Sequence, residues 1–424
     1  MAVSSVYAGN WIGRVLTLVA VLLALFLNGV AVKWFFGNSI STQAQTIEVA
    51  NVAEVLSPKD PQTHFALSVL LQRSFIPSDE PKSLHELEIA AALSPWDFQI
   101  WLDLGQARER NGDVAGMFKA FEQAQKLAPN NSEVMWTLGN ALIRQQKTNE
   151  AFVQIKRVVE IDPTYAGAAA NLAWALYDGD LAKVRSIVGN SHAVNSALAT
   201  SLARSKDYEA AFELWKSIPP ELARDSLRKD SELLEQTFQN ALEYQKALQI
   251  LAVLANEGER TFKFGEITNG GFEEDVKTDK AEVFEWNLDT GVQPIINVDE
   301  AVKHSGSRSL LLVFSSTKRD EFRIVKQNIG VAGGKSYTLS FFYKSELDSD
   351  NTVEWEVVDL NASGVPVLAN SKPLAAKTDW QKVDVSFDVP EGADAIQIRL
   401  SRTGCASDVC PLHGKIWFDD FKLS

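Results

Sequence analysis

Hydrophobic positions along this chain follow three patterns in succession, and each predicts a different element. Residues 15–32, VLTLVAVLLALFLNGVAV, are apolar almost without interruption, and Trp34, Phe35 and Phe36 extend them to about the twenty residues that cross a bilayer as a helix. From Pro61 the apolar residues come in paired helical segments, punctuated by Pro61, Pro95, Pro129 and Pro163 at a strict 34-residue interval. Proline lacks an N–H and ends a helix, so this beat is physical punctuation. Near residue 260 the period shortens to that of a half-buried strand. Strands are expected over 309–314, 336–343, 353–358, 382–389, 395–400 and 415–421, separated by Gly, Asn, Asp and Ser turns. The fold class that follows is multidomain, α then β. It comprises a transmembrane helix within 1–36, a linker over 37–60, an α-helical solenoid over 61–258 and an antiparallel β-sandwich over 259–424. At 424 residues the chain exceeds what one compact core organises.

Trp11 and the Trp34-Phe35-Phe36 group fit the two interfaces of a single span, with Arg14 and Lys33 snorkelling outward. A cleaved signal peptide is the competing reading, although such an apolar core is usually about 7 to 15 residues and no small-x-small site follows directly. Arg14 and the terminal amine precede the span, whereas Lys33 follows it and the next basic residue is Lys59. This bias places the N-terminus in the cytoplasm and the bulk of the chain outside it, on the periplasmic side.

Nine residues after the four prolines stand Leu70, Leu104, Leu138 and Leu172, and ten after them stand Leu71, Gly105, Gly139 and Ala173. Second helices pair a small residue with a bulky one four later, as in Ala151 with Ile155 and Ala211 with Trp215; in the unit ending at Pro129, Met117 replaces the small residue while Phe121 and Ala124 keep the bulky and second small positions. Beyond Pro163 the register degrades, yet Asp207-Tyr208-Glu209 with Ala211, and Glu243-Tyr244 with Ala247 and Leu251, mark two more second helices. Five or six helical pairs are expected. Over roughly 200 residues this period resembles the tetratricopeptide-repeat family. The resemblance implies a concave groove lined by first helices, with Gln99, Gln106, Arg110, Glu133, Trp136, Asn140, Arg144, Trp174 and Tyr177 facing a protein partner. Asn140 would pair with peptide backbone, Arg144 with a carboxylate, and Trp136 and Trp174 would be aromatic anchors; the same rings would also suit packing between repeats.

In the β region, Asn269-Gly270-Gly271-Phe272-Glu273, Trp286, His304-Ser305-Gly306-Ser307-Arg308-Ser309-Leu310, Gln327, Gly334-Lys335-Ser336-Tyr337, Trp380, Phe387, Pro390 and Phe418-Asp419-Asp420 follow in order. They resemble the jelly-roll carbohydrate-binding modules. That resemblance implies a structural calcium held by Glu273 and Asp419, with Asp420 and backbone carbonyls near Lys303 and His304; a solvated acidic turn is the plainer alternative. It also implies polysaccharide contact. Trp355 is the candidate stacking ring, although it shares a strand face with Val353 and Val357 and so equally suits the core.

A formal charge of -14 opposes a phosphate backbone, so nucleic acid is not an expected partner. Cys405 and Cys410 can form one local disulfide in an oxidising compartment, or remain thiols in a reducing one. Five scattered histidines, no His-x3-His pair and no Gly-x-Ser-x-Gly elbow give no catalytic machinery. The expected function is a non-enzymatic, membrane-anchored envelope adaptor for exopolysaccharide or O-antigen assembly or export. The alternative is a structural scaffold of a membrane complex whose sandwich binds no glycan.

Overall fold

The computed structural model describes residues 11–255, 262–277, 281–289, 291–349, 351–403, 405 and 407–424. The expected boundary between solenoid and sandwich at 258/259 lies outside the described residues. Two compact units divide the chain, Met1–Ala169 and Ala170–Ser424.

The first unit holds α1 (Trp11–Gln43), α2 (Ile47–Leu56), α3 (Pro61–Arg73), α4 (Glu80–Leu93), α5 (Phe98–Arg110), α6 (Val114–Leu127), α7 (Ser132–Arg144) and α8 (Thr148–Ile161), and α9 (Ala166–Leu176) runs across the division. Second helices α4, α6 and α8 each end two residues before Pro95, Pro129 or Pro163. The first helices are capped by Asp60, Asp97 and Asn131, whose side chains accept the N–H groups of Gln62, Gln99 and Val134. Gly105 and Gly139 are the contact points within repeats. A Cβ on Gly105 would lie 2.3 Å from the Phe121 ring, and one on Gly139 would lie 2.9 Å from Ile155. Met117, Phe121, Ala124, Val134, Leu138 and Ala151 close the core around the first of these contacts.

The segment read as a linker, 37–60, is helical instead. α1 continues to Gln43 and α2 folds back along it, burying Ala50 and Ala53 completely. Its buried seam is made of small residues, which give no hydrophobic stripe to read.

The second unit contains α10 (Leu181–Val188), α11 (His192–Arg204), α12 (Tyr208–Lys216), α13 (Pro220–Arg224), α14 (Arg228–Asn240) and α15 (Tyr244–Leu254), followed by the sandwich. One sheet has the order β1 (Asn287–Leu288), β4 (Val325–Gly330), β9 (Ala395–Thr403), β6 (Thr352–Asp359), β7 (Val367–Asn370). The other runs β2 (Ile295–Asp299), β3 (Ser309–Lys318), β10 (Val409–Leu423), β5 (Ser336–Leu347), β8 (Lys377–Asp388). All the ladders are antiparallel. Five of the six expected strands lie within observed ones and the sixth, 382–389, overruns β8 by one residue; β1, β2, β4 and β7 were not expected. Phe272, Trp286, Phe341, Trp355, Phe418 and Phe421 fill the space between the sheets. α15 packs against the sandwich, with Tyr244 and Leu248 meeting Phe284 and Ala395, and Gln245 donates its backbone N–H to Asp394 at 2.9 Å.

Candidate functional sites

The residues that carry the module resemblance converge on a clasp between the opening and closing segments of the sandwich. Phe421 donates its N–H to the Gly270 carbonyl at 2.9 Å, and Trp286 Nε1 donates to the Asn269 carbonyl at 3.2 Å. Gln327 reaches the Thr268 carbonyl at 2.9 Å. The loop 304–308 is gripped at both ends by carboxylates. Asp419 accepts the N–H groups of His304 and Ser305 at 2.9 and 3.1 Å, while Glu273 accepts the N–H of Ser307 at 2.9 Å and its hydroxyl. Gly306 turns the loop at φ +58°, and a Cβ there would strike the Glu273 carboxylate at 1.9 Å.

These environments tune the acids differently. Bonds from the Ser307 hydroxyl and N–H hold Glu273 below the usual carboxylate range, whereas burial raises Asp419. Burial alone would raise Asp420, but bonds from His304 at 2.7 Å and Ser305 at 2.8 Å outweigh it and lower the carboxyl. The expected ligands Glu273 and Asp419 therefore face one loop, and Asp420 is drawn to His304 instead. Hard carboxylate oxygens beside loop backbone suit calcium. Among the described residues no three His, Cys, Asp or Glu side chains gather as a metal-holding group, so the remaining ligands of such an ion would have to be backbone carbonyls.

Trp355 is not a sugar platform. It is fully buried, with the rings of Phe421, Phe418 and Trp286 at 5.0, 5.5 and 5.8 Å, so neither of its faces can meet a ligand. Its neighbours Val353 and Val357 point inward with it, and Glu354 and Glu356 point out. That outward register builds a polar row across β4, β9, β6 and β7. Gln397 donates to Asn328 at 2.8 Å, Arg399 to Glu356 at 2.7 Å and Asn370 to Glu354 at 3.2 Å. The outer side of the other sheet carries an aromatic cluster, in which His304 stacks on Phe342 at 3.6 Å with Trp380 at 5.6 Å. Neither surface was singled out from the sequence; outward-facing positions on strands of known register are the signal that finds them. Cys405 and Cys410 are joined in a disulfide.

In the first unit, Gln106, Arg110, Trp136, Asn140 and Arg144 line one concavity of about 450 Å³, together with Glu109 and Thr137. Arg144 is not free for a ligand carboxylate, because its Nε and Nη2 fork onto Glu109, both at 2.7 Å, and this pairing strengthens its hold on its proton. Arg110 pairs with Glu80 at 3.1 Å, Trp136 packs on Tyr165 at 5.2 Å, and Asn140 donates to the Trp136 carbonyl at 2.9 Å. Trp174 belongs to the second unit, where its ring covers the turn at Gly179.

Asp103, one turn before Gln106, was missed. Burial, and after it the negative charges of Glu133 and Asp97, push its carboxyl up to about 6 against the bonding of Gln99. The folded chain thus holds a proton that the unfolded chain releases at lower pH, so stability falls as pH rises from about 4 to 6. Asp103→Asn should be more stable than the parent at pH 7.5 by about 1–2 kcal/mol, discounted for partial exposure, and equal to it below pH 4. Urea unfolding at the two pH values checks this, and a pH-independent difference would contradict it.

Fold and motifs together give the chain a helical region with a tetratricopeptide-type repeat and a C-terminal β-sandwich of the carbohydrate-binding-module type. Residues 266–403 match the family described as carbohydrate binding domain, and residues 98–131, which span α5 and α6, match the tetratricopeptide repeat. Both are non-catalytic domain types. The chain is 30% identical over 106 residues to "BBSome complex member bbs-4" of Caenorhabditis elegans, a match covering 25% of this chain and 22% of that protein, so it spans only about a fifth of the relative's length. Similar solved structures include "CBM4 structure and function", at 22% identity over 37% of this chain and 98% of the other with a TM-score of 0.27. "Crystal structure of MamA" follows at 18% identity over 34% and 85%, with a TM-score of 0.28. A third is the Clostridium thermocellum xylanase Xyn10B CBM22-1–GH10 structure with xylohexaose, at 18% identity over 38% and 28%, with a TM-score of 0.26.

Proposed function

We propose that this protein is a membrane-anchored, non-enzymatic adaptor of the cell envelope, with a protein partner in the groove of its helical repeats and polysaccharide against its sandwich. The observation that carries the reading is the combination on one chain of a repeat groove and a module-type sandwich, preceded by a helix, Gly13–Gln43, long and apolar enough to cross a membrane. A signal sequence passes the same test of length and composition. The Cys405–Cys410 disulfide supports an oxidising, extracytoplasmic location for the sandwich. Exopolysaccharide or O-antigen assembly or export is the setting that joins these parts.

The polar row of Asn328, Gln397, Arg399 and Glu356 is the proposed sugar surface, since amides and charged groups fixed by mutual bonds can hydrogen-bond to hydroxyls without reordering. Calcium between Glu273 and Asp419 belongs to the same reading. Calorimetric titration of the full chain with acidic and neutral polysaccharides, in calcium and then in EDTA, tests both. Gln397→Ala with Arg399→Ala should weaken retention about tenfold or more, given roughly 1 kcal/mol for each lost bond and more for a charged one. EDTA should lower the unfolding temperature by a few degrees, as expected for losing a ligand that binds only the folded state. Failure of every polysaccharide in calcium would favour the scaffold alternative, and an unchanged melt in EDTA would remove the calcium.

A further inference from the structure

We propose that α2 is a second membrane contact, its C-terminal end dipping into the interfacial layer of the bilayer with Val52 and Val55 facing lipid; this rests on the reading of α1 as a membrane span. Packing of α2 against α1 fixes its height. Ser57, immediately after α2, donates its hydroxyl to the carbonyls of Lys33 and Trp34, at 3.1 and 3.3 Å. Asn38 of α1 donates to Asp60 at 2.9 Å. α1 runs ten residues beyond Lys33 to Gln43, about 15 Å, and the ten residues of α2 return over the same distance. The C-terminal end of α2 is therefore level with Trp34, at the water-facing end of the apolar run.

The side chains of α2 are distributed as such a placement requires. Ala50 and Ala53 face α1, while Val49, Val52 and Val55 are 42%, 54% and 75% exposed, rising toward the end that is level with Trp34. On α1 at the same level Trp34, Phe35 and Phe36 are also more than half exposed, so exposed apolar side chains of both helices gather at one height, with the exposed Asn51 and Glu48 toward the other end of α2. An apolar face contiguous with a bilayer span is covered most simply by the same bilayer. Charge agrees with this. Glu48 lies at the far end of α2, and Glu54 is turned within electrostatic reach of His64 on α3. Lys33 and Lys59 are the only Lys or Arg residues between Arg14 and Arg73; Lys33 adjoins Trp34 and Lys59 lies between Ser57, bonded at Trp34, and Asp60, bonded at Asn38, where anionic headgroups would meet them.

Depth-dependent quenching tests the placement on the full chain, reconstituted in phosphatidylcholine vesicles containing a minority of phosphatidylglycerol. The two native cysteines are in a disulfide, so Val55→Cys, Leu22→Cys and Val153→Cys each accept one environment-sensitive fluorophore without touching a buried position. Lipid spin-labelled near the headgroup should quench the Val55 label several-fold more than the Val153 label on α8, and aqueous iodide should show the reverse order. A Val55 label as open to iodide as the Val153 label, with the Leu22 label quenched by lipid spin-labelled deep in the acyl chain, would overturn the α2 placement and leave the span standing. A Val55 label shielded from iodide but not quenched by lipid would also overturn it, in favour of a protein occupant. If the Leu22 label escaped quenching by lipid spin-labelled deep in the acyl chain, the span and the placement would fall together.

Discussion

Replacing Trp355 with alanine should lower the stability of the β-sandwich by about 3–5 kcal/mol, the range for truncating a fully buried large aromatic. The ring sits at the centre of the core, edge-on to Trp286, Phe341, Phe418 and Phe421, and those neighbours come from β5 and β10 of the facing sheet and from the segment before β1. They are held by β-ladders and by the clasp of Gly270 with Phe421, so they cannot collapse far into the space left behind. Urea unfolding followed by near-ultraviolet dichroism measures the loss. Trp355→Phe, which keeps much of the volume, should recover about half of it. A loss below about 1 kcal/mol would show that the core is not organised around this ring. The contrast with Trp380 sharpens the point, because that ring is half-buried on the outer side of β8 and its truncation should cost far less.

Trp355 also shows how much of the sandwich could be read from sequence. Its placement beside Val353 and Val357 at period two already signalled an inward direction, and that signal was the correct one. The long strands were legible for the same reason. The four that were not are short or atypical: β2 has no fully buried residue, β7 is a four-residue edge strand, β1 has two residues, and β4 turns Gln327 inward. The helical repeats were legible because prolines, caps and the close approaches at Gly105 and Gly139 recur at fixed spacing. α2 was not, since alanines and a serine make its seam with α1. The groove positions were legible by register, but their availability was not: Glu109, 35 residues before Arg144, takes up its guanidinium, a pairing visible only when adjacent repeats are placed side by side.

Glu235 gives the second large effect, and here the variable is pH. On α14 it is buried at a concavity of about 860 Å³ lined also by Arg228, Glu232, Lys277, Glu282 and Glu285. Both cations in that group serve other carboxylates, Arg228 with Glu232 at 2.8 Å and Lys277 with Glu285 at 3.0 Å. Burial, with smaller repulsion from Glu282 and Glu232, pushes Glu235 up to about 7 despite the bond from Gln239. The unfolded chain releases this proton near pH 4.5 and the folded chain only near 7, so the folded state binds more protons across that window. Stability attributable to this group is therefore full below pH 4.5 and lost as pH rises to 7, by about 3 kcal/mol at one pKa unit per 1.4 kcal/mol. Glu235→Gln reproduces the neutral carboxyl in shape and keeps a partner for Gln239. It should match the parent at pH 4.5 and exceed it by about 2–3 kcal/mol at pH 8. Urea midpoints at pH 4.5, 6, 7 and 8 resolve the two curves. Parallel curves across that range would mean that Glu235 ionises freely in the folded chain, with solvent or a cation reaching it through the concavity.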